Sequence, residues 1–266
     1  MARSPSAPPS GAGSRSGSAP KGRRRLDERL VADGLAESRT RAQALIRMGR
    51  VLVADVPVEK PGTSVRDSAA VRVRGETLQF VSRGGDKLAG ALEDLSIDPG
   101  GRQCLDVGAS TGGFTDCLLQ RGATHVVAVD VGYGQLHPRL RTDARVAVLE
   151  RTNFRTVPAE RVRVQAEGAF DLVVMDVSFI SAARLLDKVR EVAENAELLV
   201  LVKPQFEVGR GQVGKGGVVR DDELRLEAAA AVTSAGVALG WRAAGQSESR
   251  LAGPRGNREI FVRLLP

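Results

Sequence analysis

Cysteine is nearly absent from this chain of 266 residues: there are two, too few for a disulfide framework. Cys104 and Cys117 both fall within apolar segments and read as small buried hydrophobes. Histidine is equally scarce. His125 and His137 have no cysteine partner at ligand spacing, so no metal site is expected. No apolar run approaches the roughly 18 residues that a membrane span needs. Residues 1–20 are mostly Ser, Pro, Gly and Ala with scattered Arg, and contain no apolar signal-peptide core. The expectation is a cytoplasmic protein without metal or membrane, read as a monomer.

Negative charge is missing from residues 1–25, which hold Arg3, Arg15, Lys21, Arg23, Arg24 and Arg25. The whole chain carries +7, so the remainder is close to neutral. Residues 1–22 read as a disordered basic tail, either an anion-seeking arm or a merely solubilising one. The hydrophobic content of 42% with a mean hydropathy of -0.13 is that of a globular protein with a real core. At this length, one large domain plus a small one is expected.

The stretch from Cys104 to Asp130 organises the larger part. Cys104–Val107 is a short apolar run stopped by Gly108, the pattern of a buried parallel strand. The loop Gly108-Ala109-Ser110-Thr111-Gly112-Gly113 then opens a helix that can bury Phe114, Cys117 and Leu118. Glycines let the backbone approach a ligand, and the helix's free N–H groups face the same spot. A second strand over Val126–Val129 ends at Asp130, a carboxylate placed to meet two ribose hydroxyls. Such a unit binds a nucleoside cofactor. A nicotinamide fingerprint would need glycine where Ser110 stands, and a phosphate loop would need lysine where Phe114 stands. Asp106 followed by G-A-S-T-G-G resembles instead the first motif of S-adenosylmethionine methyltransferases. That resemblance implies cofactor contacts from Asp106, Gly108, Ser110, Thr111, Gly112, Gly113, Phe114 and Asp130.

Upstream, Leu26, Leu30 and Leu35 fall on one helical face ended by Gly34. Ser38 reads as the N-cap of a second helix over 39–48, with Ala42, Leu45 and Ile46 inward. Short strands are expected at Val51–Val53 and Val71–Val73. Arg39, Arg41, Arg47 and Arg50 crowd the second helix and its exit with no acid among them, an edge suited to phosphate contacts. The string R-L-D-E-R-L-V-A-D-G-L-A-E-S-R-T-R-A-Q-A-L-I-R-M-G-R-V-L-V resembles the S4 RNA-binding domain. Arg23, Arg24 and Arg25 complete the expected RNA-binding set.

Downstream, F-V-S-R-G-G at 80–85 reads as a linker, followed by a helix from Asp86 to about Leu95. Strand candidates follow at Val146–Leu149, Phe170–Asp176, Leu198–Val202, about Val237–Ala244 and Ile260–Leu264. Alternation of strands and helices implies a doubly wound α/β sheet. Asp176 and Lys203 each follow an apolar strand, where open sheets bind ligands, and Glu259 opens the last strand. The segment Gly209 to Gly216 nearly spells a phosphate loop, but Gly216 replaces the needed Ser or Thr. It reads as a mobile cationic loop.

Lys87, Asp176, Lys203 and Glu259 together match the Lys-Asp-Lys-Glu set of FtsJ/RrmJ-like ribose 2′-O-methyltransferases. With S-R-G-G-D-K-L, D-V-S-F-I-S, V-K-P-Q-F-E-V-G-R and G-N-R-E, residues 24–266 resemble the TlyA (hemolysin A) family. The resemblance implies a Rossmann-like class I methyltransferase domain (86–266) behind an S4-like α+β RNA-binding domain (23–79). It also implies S-adenosylmethionine as cofactor and cytidine 2′-O-methylation of 16S or 23S ribosomal RNA in ribosomal subunits. Lys203 is expected nearest the hydroxyl, steered by Asp176 and tuned by Lys87 and Glu259; a lysine base must be partly neutral, which burial and a second amine favour. Arg255 and Asp86 stand where the family often has Ser and His, and Arg255 is expected to add a phosphate contact. Rival readings are a non-catalytic ribosome assembly factor, a membrane-active hemolysin and a pseudouridine synthase.

Overall fold

A computed structural model describes residues 22–36, 38–74, 79–253 and 255–266. The tail expected over 1–22 lies outside these residues except for Gly22, whose carbonyl accepts from Asp67 N at 3.0 Å. The chain divides into two compact units at Thr77/Leu78.

In the first unit, strand β1 (Arg23–Arg25) leads into helix α1 (Leu26–Ala32), then α2 (Arg39–Arg47), β2 (Val51–Val53), β3 (Val56–Pro57), β4 (Ser64–Arg66) and β5 (Val71–Val73). The arginine run is thus a strand, paired antiparallel with β4, while β2 pairs with both β3 and β5. Leu26, Leu30, Ala42, Leu45, Ile46 and Val51 make the core. Ser38 caps α2 as expected, its hydroxyl accepting from Arg41 N at 3.2 Å. Leu35 departs from expectation: α1 ends before the left-handed Gly34 (φ 70°), and Leu35 lies beyond the helix, 36% exposed.

The second unit runs α3 (Arg83–Asp94), β6 (Gln103–Val107), α4 (Gly113–Gln120), β7 (His125–Val129), α5 (Pro138–Arg141), β8 (Val146–Leu149), α6 (Ala159–Arg163), β9 (Leu172–Met175), α7 (Leu186–Val192), β10 (Glu197–Val202), α8 (Pro204–Glu207), α9 (Asp222–Ala238), β11 (Arg242–Glu248) and β12 (Ile260–Leu265). One seven-stranded sheet has the order β11-β12-β10-β9-β6-β7-β8. β12 is antiparallel to both neighbours; the pairings among β10, β9, β6, β7 and β8 are parallel. Central strands bury both faces, so their sequences are continuously apolar. Alternate residues go to opposite sides: Leu105, Val127 and Val200 join one core, Cys104, Val126 and Leu199 the other. Burial pushes the Cys104 and Cys117 thiols up to about 12.

Three segments differ from the sequence reading. The strand expected at Val237–Ala244 is instead the end of α9, the turn at Gly240 (φ 97°) and the first residues of β11. Gly236 explains the persistence of the helix: a Cβ there would meet Leu264 Cδ1 at 2.4 Å, so its bareness lets α9 lie on β12. The presumed linker at 80–85 is packed structure. Phe80 is buried in the second core, α3 begins at Arg83, and a Cβ on Gly85 would strike the Phe80 ring at 2.3 Å. In the loop expected to be mobile, Gly214 bridges Val218, and Asn257 Oδ1 accepts from Val219 N at 2.9 Å while its Nδ2 donates to Gly217 O at 2.8 Å.

Gly113 makes one of the tightest approaches, since its Cβ would lie 2.2 Å from Ser82 Oγ and 2.8 Å from Gly85 N. The second neighbour is backbone and cannot swing away. Gly113→Ala is expected to destabilise the protein by about 1–3 kcal/mol, the usual overpacking penalty, despite alanine's better helix propensity. Urea unfolding with an unchanged slope and a lower midpoint is the expected result.

Candidate functional site

Parallel strands β6, β7, β9 and β10 point their carboxyl ends the same way, and each delivers a polar residue there. Gly108 leaves β6 at φ 89°, and a Cβ on it would lie 2.5 Å from the Asp176 carbonyl oxygen. Only glycine lets the loop pass this close to the end of β9. Ser110 follows with φ 50°, and its amide donates to Asp130 Oδ2 at 2.8 Å; Asp130 Oδ1 accepts from Gly132 N at 2.6 Å. Asp130 thus braces both its own turn and the glycine loop. Thr111 O accepts from His137 N at 3.1 Å, and Gly112 (φ 92°) leaves its Cβ space to Leu136 and Leu140.

Asp106 is fully buried, with Oδ2 accepting from Thr115 Oγ1 at 2.6 Å and Oδ1 without a hydrogen-bond partner. Burial raises its pKa to about 7, the Thr115 hydroxyl opposes this, and the charge of Asp176 adds to it. An orphaned carboxylate oxygen and a loop with no room for a Cβ are features of a cradle for a polar, cationic ligand. Phe114 is placed differently from its neighbours in the expected set. Its ring is buried in the core, 6.1 Å from Phe261, leaving backbone as its contribution to the loop.

The four candidate catalytic residues form two ion pairs. Lys203 Nζ lies 2.5 Å from Asp176 Oδ1 and donates to Ser178 Oγ at 2.9 Å. Lys87 Nζ donates to Glu259 Oε2, joining α3 to the start of β12, and both residues are buried. Pro204 explains the position of Lys203: it ends the β-ladder and begins α8, so the lysine sits on the corner. Glu207 closes α8 onto the loop after β9, accepting from Ser181 Oγ at 2.6 Å and Ala182 N at 2.7 Å. Its pKa is raised by burial. That same loop holds Phe179 at φ 68°, 93% exposed, with its ring 5.5 Å from Phe206. Sequence reasoning did not single out Ser178, Phe179 or Glu207. The strings D-V-S-F-I-S and K-P-Q-F-E held them, but nothing linear says that the two loops meet.

In the first unit the arginines sort into two groups. Asp27, fully buried, accepts from Arg25 Nε at 3.0 Å and Nη2 at 3.1 Å, from Arg39 Nε at 3.0 Å and from Gln43 Nε2 at 2.9 Å. The Arg25 bond foremost holds its carboxyl well below the usual range. Glu28 adds a second carboxylate to Arg25 and Arg39. Arg23 reaches Ser64, and Arg24 lies 4.0 Å from Asp67. Arg41, Arg47 and Arg50 form no ion pair among the described residues, while Arg47 Nη2 donates to Gln43 at 3.5 Å. The acids missing from α2 are therefore supplied by α1.

Residues 80–265 match the model of the FtsJ-like methyltransferase family, and residues 24–71 match that of the S4 domain. The chain belongs to the TlyA family of FtsJ-like methyltransferases. It is 51% identical over 244 residues to the 16S/23S rRNA (cytidine-2′-O)-methyltransferase TlyA of Mycobacterium tuberculosis, covering 91% of this chain and 90% of that protein. Hemolysin A of Brachyspira hyodysenteriae is 38% identical over 242 residues, 91% of this chain and 99% of that one. A solved structure described as a hemolysin from Streptococcus thermophilus superposes with a TM-score of 0.71 at 36% identity, covering 91% and 88% of the two chains. Among the described residues no helix is long and apolar enough to cross a membrane, and no cluster of three His, Cys, Asp or Glu could hold a metal ion.

Two outcomes test these sites. The Asp106 pKa, near 7 when folded, lies above its ordinary value of 3.8, so the fold holds its proton more tightly than the unfolded chain. Stability should then be highest at acid pH with respect to this group and fall as pH rises from about 4 towards 7. Asp106→Asn should flatten that slope in denaturant titrations at pH 5 and pH 8. Asp27 has the opposite sign: its contribution is present above the ordinary carboxylate range and is lost as pH falls. Asp27→Ala at neutral pH is expected to cost about 1–3 kcal/mol, because it removes the buried acceptor that Arg25, Arg39 and Gln43 share. Amide exchange should quicken in α1 and α2 and stay at the wild-type rate in the seven-stranded sheet.

Proposed function

We propose that the protein transfers the methyl group of S-adenosylmethionine to the ribose 2′-oxygen of cytidine in ribosomal RNA, 16S, 23S or both, within ribosomal subunits in the cytoplasm. The observation that carries this reading is the packing of Gly108 against Asp176, whose carboxylate pairs with Lys203. A cofactor loop and an amine that can manage a hydroxyl proton thereby share one sheet edge.

Asp106, the backbone of Gly108 to Gly113 and Asp130 would hold S-adenosylmethionine, which supplies an electrophilic methyl group. Asp130 suits ribose hydroxyls because its oxygens already bind N–H donors at the strand end. The chain's own task is to bring a very weak acid, the 2′-hydroxyl, to that methyl group and take its proton as the C–O bond forms. Lys203 is the residue assigned to the proton, oriented by Asp176 and Ser178. The buried Lys87–Glu259 pair fixes α3 against β12 and so shapes the same edge from the other side. Much of the remaining acceleration comes from positioning, which a rigid sheet provides better than loops. Phe179 offers an exposed ring on which an RNA base can stack. Arg41, Arg47 and Arg50 supply phosphate contacts from the S4 unit, which suits recognition of RNA shape.

The decisive assay is methyl transfer from labelled S-adenosylmethionine to unmethylated 30S and 50S subunits separately, with the product nucleoside identified by mass. Label should appear on a ribose 2′-oxygen and fall by about 100-fold or more in Lys203→Ala, the scale of a lost proton-transfer group. Tight RNA binding by the wild type without transfer to either subunit would instead leave a non-catalytic assembly factor.

A further inference from the structure

The segment from Gly209 to Gly216, which nearly spells a phosphate loop, has no part in the proposed chemistry. A phosphate loop holds its ligand at the N-terminus of the helix that its lysine opens. Here the chain turns back after Lys215, and α9 begins only at Asp222. Gly217 N donates to Gly214 O at 3.0 Å and Gly214 N to Val218 O at 3.1 Å, so residues 214–218 form a tight turn with Lys215 on the bend. Buried Asn257 holds this turn by Gly217 and Val219.

The fold brings two more cations to the same turn. A Cβ on Gly217 (φ 79°) would lie 3.0 Å from Arg255 Nη1, and one on Gly214 would lie 3.7 Å from Arg220 Nη1. These two glycines are the bonded ends of the turn, a geometry that keeps their α-carbons within about 7 Å. Lys215, Arg220 and Arg255 are therefore neighbours, although Arg255 arrives from beyond β11. All three are exposed, and none of their side chains has an ion pair or hydrogen bond among the described residues. The acids that follow Arg220 are committed elsewhere. Asp221 Oδ1 caps α9 by accepting from Glu223 N at 2.9 Å, and Asp222 Oδ1 accepts from Arg225 Nη2 at 2.6 Å.

The cluster borders the proposed catalytic set. Gly253 N donates to Asn257 O at 2.8 Å, closing the turn that carries Arg255, and a Cβ on Gly253 would lie 2.6 Å from Glu259 Oε1. That turn thus rests against the residue that pairs with Lys87. Three like charges held together repel one another, and an anion placed between them removes that cost. Residues 214–218 include no aromatic ring, so the turn has nothing on which a base can stack. We propose that Lys215, Arg220 and Arg255 clamp one phosphodiester of the RNA strand beside the methylated nucleotide. The clamp fixes where the strand lies and does not read its sequence. Asn257 and the left-handed Gly217 hold the turn in place before RNA arrives, so little ordering is left to oppose binding. The inference rests on the reading of the substrate as RNA.

The test uses the full-length protein and the ribosomal subunit that accepts methyl groups. Lys215→Ala combined with Arg255→Ala changes two exposed side chains and leaves the core alone. The pair is expected to raise KM for the subunit about tenfold, with kcat and the Kd for S-adenosylmethionine unchanged. The slope of log KM against log salt concentration should fall by about 1, the signature of one lost phosphate contact. Arg242→Ala is the comparison, since it removes an exposed cation from the end of β11 remote from Glu259 and should change neither quantity. An equal loss of slope in Arg242→Ala would reveal general charge attraction, and a wild-type KM in the double variant would reveal no contact. Either result overturns the clamp and leaves the methyltransferase intact. A rise in the cofactor Kd equal to that in KM would mark the cations as structural and also overturn it. So would saturable binding of ATP to the wild type that the double variant loses, because the segment would then be a nucleotide site. Absence of methyl transfer by the wild type to either subunit would remove the RNA-methylation reading, and the clamp with it.

Discussion

A side chain at position 108 would strike the carbonyl of Asp176, and this single steric fact sets the geometry of the proposed catalytic edge. Because Gly108 is bare, the first loop of the sheet passes directly over the end of β9. Asp176 is thereby caught between the loop on one side and Lys203 on the other. Three carboxylates, Asp106, Asp130 and Asp176, then crowd the ends of three strands, and the charges of Asp176 and Asp130 add to the burial that raises the cost of ionising Asp106. The fold offsets this by different means at each: a hydroxyl for Asp106, backbone amides for Asp130 and an amine for Asp176. A cationic methyl donor is the ligand that such a cluster of acids favours.

The supports of this edge are largely buried and come from far along the chain. Glu207 ties the segment after β10 to the loop after β9, so the strand ends that carry Lys203 and Asp176 are joined twice. Lys87 and Glu259 are 172 residues apart and meet in the interior. Asn257 fastens the glycine-rich segment to the turn before β12. Together these contacts turn loops into parts of a rigid frame, which is what precise placement of a hydroxyl requires.

The S4 unit solves a different problem, holding many arginines close together without unfolding. Asp27 does this from beneath, taking hydrogen bonds from Arg25, Arg39 and Gln43 at one buried carboxylate. The result is an uneven surface. Arg25 and Arg39 are paired with Asp27, and Arg41, Arg47 and Arg50 form no ion pair among the described residues. Counting arginines along α2 cannot reveal this, because the compensating acids lie on α1.

Much of this protein was legible in its sequence where the signal is local. Strand positions followed from apolar runs cut by Gly or Pro, the cap at Ser38 from its place before a helical period, and the glycine loop from its spacing to Asp130. Family membership was carried by strings that keep the Lys-Asp-Lys-Glu residues within recognisable neighbours. Other features required tertiary structure, for one physical reason: they are decided by what packs against a residue and not by its chain neighbours. Gly85 looks like part of a linker until the Phe80 ring is seen to need the space its Cβ would fill. α9 continues through Val237 because Gly236 lets it lie on Leu264. Phe114 has the position of a cofactor residue in the linear motif, and Phe261 holds its ring in the core.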